Sequence, residues 1–239
     1  MKRQTVDDRL LAQIERMTPA QRAAQLFMVA PDPTDDPEAV AEWLADNAYA
    51  GLFLQWRHLG DREWVYELAD RLAEQTEEGL PHLVATDEEG GLVSDLAGLT
   101  STAPSAMALG VIDDAEVTTA VARAMGAKLR ALGFNVLFGP VLDVNSEARN
   151  PVIGTRAYGT TAEKVTRHGL ATLTGYLQVG VATCAKHFPG HGATRLDSHL
   201  TLPSVESAAD TLLQVDVPPF RAAVEAGLPM VMTAHVAYP

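Results

Sequence analysis

The sequence has one cysteine in 239 residues, and that scarcity excludes an internal disulfide. It has no run of eighteen apolar residues, so no membrane-spanning helix is expected. The first seventeen residues are charged and lack an apolar core segment, so no signal peptide is expected either. Basic residues are few: 18 Lys and Arg stand against 31 Asp and Glu, a formal net charge of −13. That balance argues against nucleic acid as a partner, because phosphate binding needs clustered Lys and Arg, and against an anionic membrane surface. The chain is therefore expected to be soluble and cytoplasmic. The sequence assigns no oligomeric state.

What is present fits an ordinary globular enzyme. Hydrophobic residues make up 47% and charged residues 21%. Short apolar runs at 26–30, 51–56, 81–87, 134–138, 181–185 and 230–234 read as strands. Between them lie helical patterns, such as 61–78 with Trp64, Val65, Leu68 and Leu72 at three- and four-residue intervals. Thr18 before Pro19 reads as an N-cap, and Gly79, Gly133, Gly180 and Gly227 read as helix stops. Six strand-then-helix units with apolar strands predict a parallel sheet, buried on both faces. No composition break divides them, so residues 1–239 read as one domain.

Two α/β architectures fit, an open doubly wound sheet and a (β/α)₈ barrel of TIM type. Asp87, Asp143, Lys186 with His187, and His235 each follow a different predicted strand, which favours the barrel. A doubly wound sheet would use one switch point with a Gly-rich phosphate turn, and none follows the first strand. The barrel reading stops after about six βα units, with Pro239 just past the sixth strand.

The densest chemistry lies in 186–199, Lys-His-Phe-Pro-Gly-His-Gly-Ala-Thr-Arg-Leu-Asp-Ser-His. Pro189, Gly190 and Gly192 prevent a continuous helix there, so this reads as a loop past the fifth strand. Asp197 and His199 are two apart and would point the same way in an extended segment. A carboxylate beside an imidazole makes a general acid/base, and the plain alternative is a surface turn. Lys186 and His187 are candidates for contacting a polar ligand. Asp87 is suited to accept from hydroxyls, whereas Glu88 and Glu89 beside it read as solvated charge. Arg156, on the Gly/Pro loop 150–156, is placed to hold a guanidinium toward a ligand. Cys184 reads as a small core residue. His187, His191, Asp197 and His199 form a competing metal-ligand set, disfavoured because the intervening Pro189 and Gly190 break the helix that an i, i+4 histidine pair needs.

These segments resemble glycoside hydrolase family 3, in its β-N-acetylhexosaminidase branch. The loop matches that branch's Lys-His-Phe-Pro-Gly-His-Gly-x-Thr-x-x-Asp-Ser-His signature over its whole length. Gly139 to Asn145 with Asn150 to Arg156, Asp87 to Gly91, and Met232 to His235 match three further family segments. The resemblance implies a TIM-barrel catalytic domain without cofactor, acting on N-acetylglucosamine-containing glycans, peptidoglycan fragments included. It implies retention through a covalent intermediate, with His199 as acid/base and Asp197 orienting it. It also implies that Asp87, Arg156, Lys186 and His187 contact the sugar in the −1 site.

Two positions depart from the pattern. The family's acidic loop continues as Gly-Gly-Arg-Val-x-Arg, whereas here Gly91 is followed by Leu-Val-Ser-Asp95, with neither arginine. The family's aspartate nucleophile follows a seventh strand, beyond Pro239. A non-catalytic sugar-binding relative and a family-3 phosphorylase are the rival expectations.

Overall fold

The computed structural model describes residues 8–32, 35–76, 81–197, 200–205 and 209–239. They fall into two units, Met1–Val84 and Ala85–Pro239. In the first, α1 (Asp8–Arg16) precedes α2 (Pro19–Ala24). Thr18 opens α2 with a full capping box: its hydroxyl accepts from Gln21 N at 3.2 Å, and Gln21 Oε1 accepts from Thr18 N at 2.9 Å. The strand β1 (Met28–Val29) pairs in parallel with β2 (Gly51–Phe53). Between them runs α3 (Pro37–Asn47), capped by Asp36. The helix α4 (Arg62–Thr76) buries Val65, Leu68 and Leu72, the stripe that the spacing predicts. The stop expected at Gly79 lies outside the described residues. Leu83 N donates to Ala50 O as β3 (Leu83–Thr86) begins.

In the second unit β3 continues into a parallel ladder. A hairpin follows it directly: β4 (Glu88–Gly90) pairs antiparallel with β5 (Val93–Ser94). Sequence reasoning expects only a loop there. Two helices come next, α5 (Ala106–Ile112) and α6 (Ala115–Ala131). The strand β6 (Val136–Leu137) pairs in parallel with β3 and with β7 (Ala182–Phe188). Between those two strands lies α7 (Ala162–Leu177). Residues 209–225 form α8 (Ala209–Thr211), a π turn (Leu212–Asp216) and α9 (Val217–Glu225). They lead to β8 (Met230–Thr233), parallel to β7.

Leu142, Val144, Tyr158, Val165, Leu173 and Phe220 are buried together beneath these elements. Each parallel strand is thus reached through helical crossover chain, as the apolar runs predict. The main correction concerns β7, which ends at Phe188 rather than Ala185. Lys186 and His187 therefore sit on the strand itself. Their polarity masks the strand in the sequence, and the charge pairing described below is what lets them be there.

Candidate active site

The parallel ladder brings four chain segments to one place. Asp87 follows β3, Glu89 lies in β4, Asp143 follows β6, and Lys186 and His187 end β7. Lys186 is 3% exposed, and a buried ammonium needs partners. It has two, Asp87 Oδ1 and, at 2.6 Å, Glu89 Oε1. Glu89 also grips Arg156 in a fork, with Nε to Oε2 at 2.7 Å and Nη2 to Oε1 at 2.8 Å. Arg156 Nη2 lies 3.4 Å from His187 Nε2. The other ring nitrogen of His187 meets Asp143 Oδ2 at 2.7 Å. An unbroken chain of polar contacts therefore runs from Asp87 to Asp143.

Electrostatics decide the charge states. Burial alone would raise the Glu89 pKa, but the Lys186 and Arg156 charges outweigh it and hold it at about 2. Burial likewise opposes the Lys186 charge, and Glu89 and Asp87 overcome it, so its pKa is raised above the ordinary lysine value. Arg156 behaves the same way, with Glu89 as its main support against burial. The cations are thus permanent. Cys184, one pleat before Lys186, has its thiol pushed up to about 11 by burial, which agrees with its reading as a core residue.

Asp143 organises the loop. It is fully buried and accepts from His187 Nδ1, from His187 N at 3.3 Å and from His191 N at 2.7 Å. A proton on Nδ1 leaves Nε2 of His187 as an acceptor facing the site. The Lys186–His187 and Phe188–Pro189 peptides are cis. Asn150 ties the arginine segment to this loop. Its Nδ2 donates to His191 O at 2.9 Å, while its Oδ1 accepts from Val152 N and Ile153 N. Gly192 lies so close to the segment after β6 that a Cβ on it would fall 1.8 Å from Val144 O.

Asp87, Arg156, Lys186 and His187, singled out in the sequence, are thus brought together. Asp197 is partly buried, and its backbone O accepts from Leu200 N and Thr201 N. His199 lies outside the described residues, so its pairing with Asp197 stays an expectation. Sequence reasoning places Glu88 and Glu89 in solvent, and the structure corrects this. Glu88 is 1% exposed and accepts from Ser94 Oγ at 2.7 Å and Leu96 N at 3.1 Å, which holds the hairpin shut. Glu89 is the site residue missed. The signal for it was a need for counter-charge, since two candidate cations lay on apolar or Gly/Pro-rich segments. Asp95 turns back on the hairpin base, where its Oδ2 accepts from Asp87 N at 3.2 Å. Of the residues in the metal set, His187 has its Nδ1 held by Asp143 and His191 its Nδ1 held by Thr194, while His199 lies outside the described residues. Among the described residues no three His, Cys, Asp or Glu side chains are grouped to hold a metal ion.

Comparison with known proteins gives the family and the fold. The model of the glycosyl hydrolase family 3 N terminal domain matches residues 18–239. A β-N-acetylglucosaminidase of that family from Paenibacillus sp. str. FPU-7 superposes with a TM-score of 0.86 at 38% identity, over 93% of this chain and 43% of that one. NagZ from Neisseria gonorrhoeae, solved in complex with N-trifluoroacetyl-D-glucosamine, gives 0.79 at 33% identity, over 89% of this chain and 64% of that one. Beta-hexosaminidase A of Pseudoalteromonas piscicida is 36% identical over 211 residues, which are 85% of this chain and 35% of the relative. The beta-hexosaminidase of Methylococcus capsulatus is 37% identical over 200 residues, 82% of this chain and 59% of the relative. The chain thus spans between about a third and three fifths of the curated relatives' length. It has the α/β, TIM-barrel-type fold of those structures, and it belongs to the glycosyl hydrolase family 3 N-terminal domain family.

Proposed function

We propose that this chain carries the −1 sugar site and the proton-transfer loop of a retaining β-N-acetylglucosaminidase. The observation that supports it most is the Asp87–Lys186–Glu89–Arg156–His187–Asp143 array at the strand ends. A pyranose presents a ring of hydroxyls that both donate and accept. Asp87 is the acceptor, Lys186 and Arg156 are the donors, and His187 Nε2 is an acceptor placed between them. Because Glu89 and Asp143 fix these groups beforehand, little ordering is left for the moment of binding.

His199, oriented by Asp197, is the proposed acid/base: it protonates the leaving oxygen and then takes a proton from the incoming water. Retention also needs a nucleophilic carboxylate on the opposite side of the anomeric carbon. Asp87, Glu89 and Asp143 are each already engaged by a cation or by N–H donors, so the nucleophile is assigned to none of them. N-acetylglucosamine-containing glycans are the substrate class, with peptidoglycan fragments met in the cytoplasm as the expected source. The relatives named β-N-acetylglucosaminidase or beta-hexosaminidase support the substrate class.

Calorimetry with N-acetylglucosamine, glucose and N-acetylgalactosamine tests the site directly. The N-acetylglucosamine signal should be strongest and should vanish in Lys186→Met. Equal binding by the Met variant, or a preference for glucose, would sink the assignment. Asp95 favours a second reading, a site of the same kind with weakened affinity, because a carboxylate stands where the family pattern has arginine.

A further inference from the structure

Asp216 has no evident employment. It ends the π turn and stands at the N-cap of α9, where an aspartate ordinarily accepts from the second or third helical N–H. Those two positions are Pro218 and Pro219, which have no N–H, and the side chain makes no capping bond. The residue is nevertheless 3% exposed, and among the described residues its Oδ1 finds no hydrogen-bond partner. A buried carboxyl oxygen left in this way costs on the order of 1–3 kcal/mol or more. Something else must keep it there.

Its neighbour is the loop past β7. A Cβ built on Gly190, whose φ is +147°, would stand 2.6 Å from Asp216 Cβ and 2.8 Å from its Oδ1. The carboxyl is thus packed directly against the Gly190 backbone. Gly190 O accepts from the Tyr238 hydroxyl. The next residue, His191, gives its N–H to Asp143 Oδ1, and Asp143 holds the His187 ring. The α9 helix backs the same strand end, with Phe220 edge-on to Phe188 at 5.4 Å.

We propose that Asp216 is a positioning residue: by packing behind Gly190 it sets where His191, Asp143 and the His187 ring stand at the end of β7. Below about pH 6 it does this as the neutral acid. Burial first, and the Asp143 charge second, push its pKa up to about 6. The titratable groups around it are Asp143 from the segment after β6, Tyr238 after β8 and, through Asp143, His187 and His191. Ionisation would place a second carboxylate behind a loop already anchored on Asp143, and the loop would shift. The inference rests on taking these strand ends as the sugar site, but its test needs no turnover.

Nuclear magnetic resonance on the protein labelled at aspartate carboxyls, backbone amides and histidine rings decides it. The Asp216 carboxyl should titrate with a midpoint at about 6, and the Gly190 and His191 amides and the His187 ring should move with it. In Asp216→Asn, an isostere that cannot ionise, that inflection should disappear from the loop. The variant at pH 7.5 should then match the wild type at pH 5. A carboxyl midpoint near the ordinary 3.8 overturns the proposal. So does a loop inflection that persists in the Asn variant, because Asp216 could not then be its source. If the Asn variant does not fold, the wild-type titration alone decides.

Discussion

Glu89 holds two cations with one side chain, and its removal should be felt at both. In Glu89→Gln the negative charge that Lys186 and Arg156 share is lost, and one of the two oxygens gripping the Arg156 fork becomes an NH2 that cannot accept. Breaking a buried pair by removing one partner costs on the order of 3 kcal/mol. Urea unfolding should show a loss of that size, and N-acetylglucosamine binding should weaken by about tenfold or more, since 1.4 kcal/mol is a decade. A Gln variant of unchanged stability would mean that Asp87 alone satisfies Lys186. Asp95 gives the opposite kind of test. Its carboxylate accepts from Asp87 N at the base of the hairpin, so Asp95→Arg both frees that N–H and supplies a donor at a position the family pattern gives to arginine. Calorimetry should show tighter N-acetylglucosamine binding by the Arg variant. Equal or weaker binding would show that residue 95 does not face the sugar.

At the scale of elements, the glycines of 186–199 are explained by close approach. Gly192 packs on the strand-end segment with Val144 O where a Cβ would be, and a backbone oxygen there cannot move aside as a side-chain tip would. Gly192→Ala should therefore destabilise the protein by about 2 kcal/mol or more and displace the loop, both readable from thermal unfolding and loop amide shifts. An Ala variant with wild-type stability would mean that the loop is looser than its packing implies. This loop was legible in the sequence because Pro189, Gly190 and Gly192 allow only an irregular turn, and the apolar run before it marks a strand. The exact end of β7 was not legible. Lys186 and His187 look like loop residues until Asp87, Glu89 and Asp143, as many as 99 positions away, are known to neutralise and hold them. The β4–β5 hairpin was hidden for the same reason, since Glu88 is buried only through Ser94 and Leu96. The short helix α5 shows no polar face to read, because Ala106, Leu109 and Gly110 are buried in a seven-residue apolar stretch. Periodicity reports which face is buried, and polar groups buried by pairing leave no periodic trace.

At the scale of the whole molecule, the buried carboxyls Glu89 and Asp216 have shifts of opposite signs, and together they predict a stability optimum. Glu89 is lowered from its ordinary 4.5 to about 2. Its contribution is therefore fully present above about pH 4.5 and is lost as pH falls through about 2. Asp216 is raised from 3.8 to about 6, so its contribution is fully present below about 3.8 and is lost as pH rises through about 6. Glu88, raised chiefly by burial, has the same sign as Asp216. The net charge of −13 at neutral pH adds self-repulsion on that alkaline side as well. Unfolding free energy should therefore peak where the two windows overlap, between about pH 3.8 and 4.5, on the acid side of neutrality. Urea titrations at about pH 3, 5 and 7.5 would trace the curve, and variants separate its limbs. Glu89→Gln should flatten the acid limb, and Asp216→Asn should flatten the fall between pH 5 and 7.5 while leaving the acid limb in place. Stability that climbs steadily to pH 7.5 in the wild type would show that Asp216 has found a donor and is held as a carboxylate. The carboxyl behind Gly190 would then be an anchor fixed at all pH values, and the loop it supports would owe nothing to its protonation.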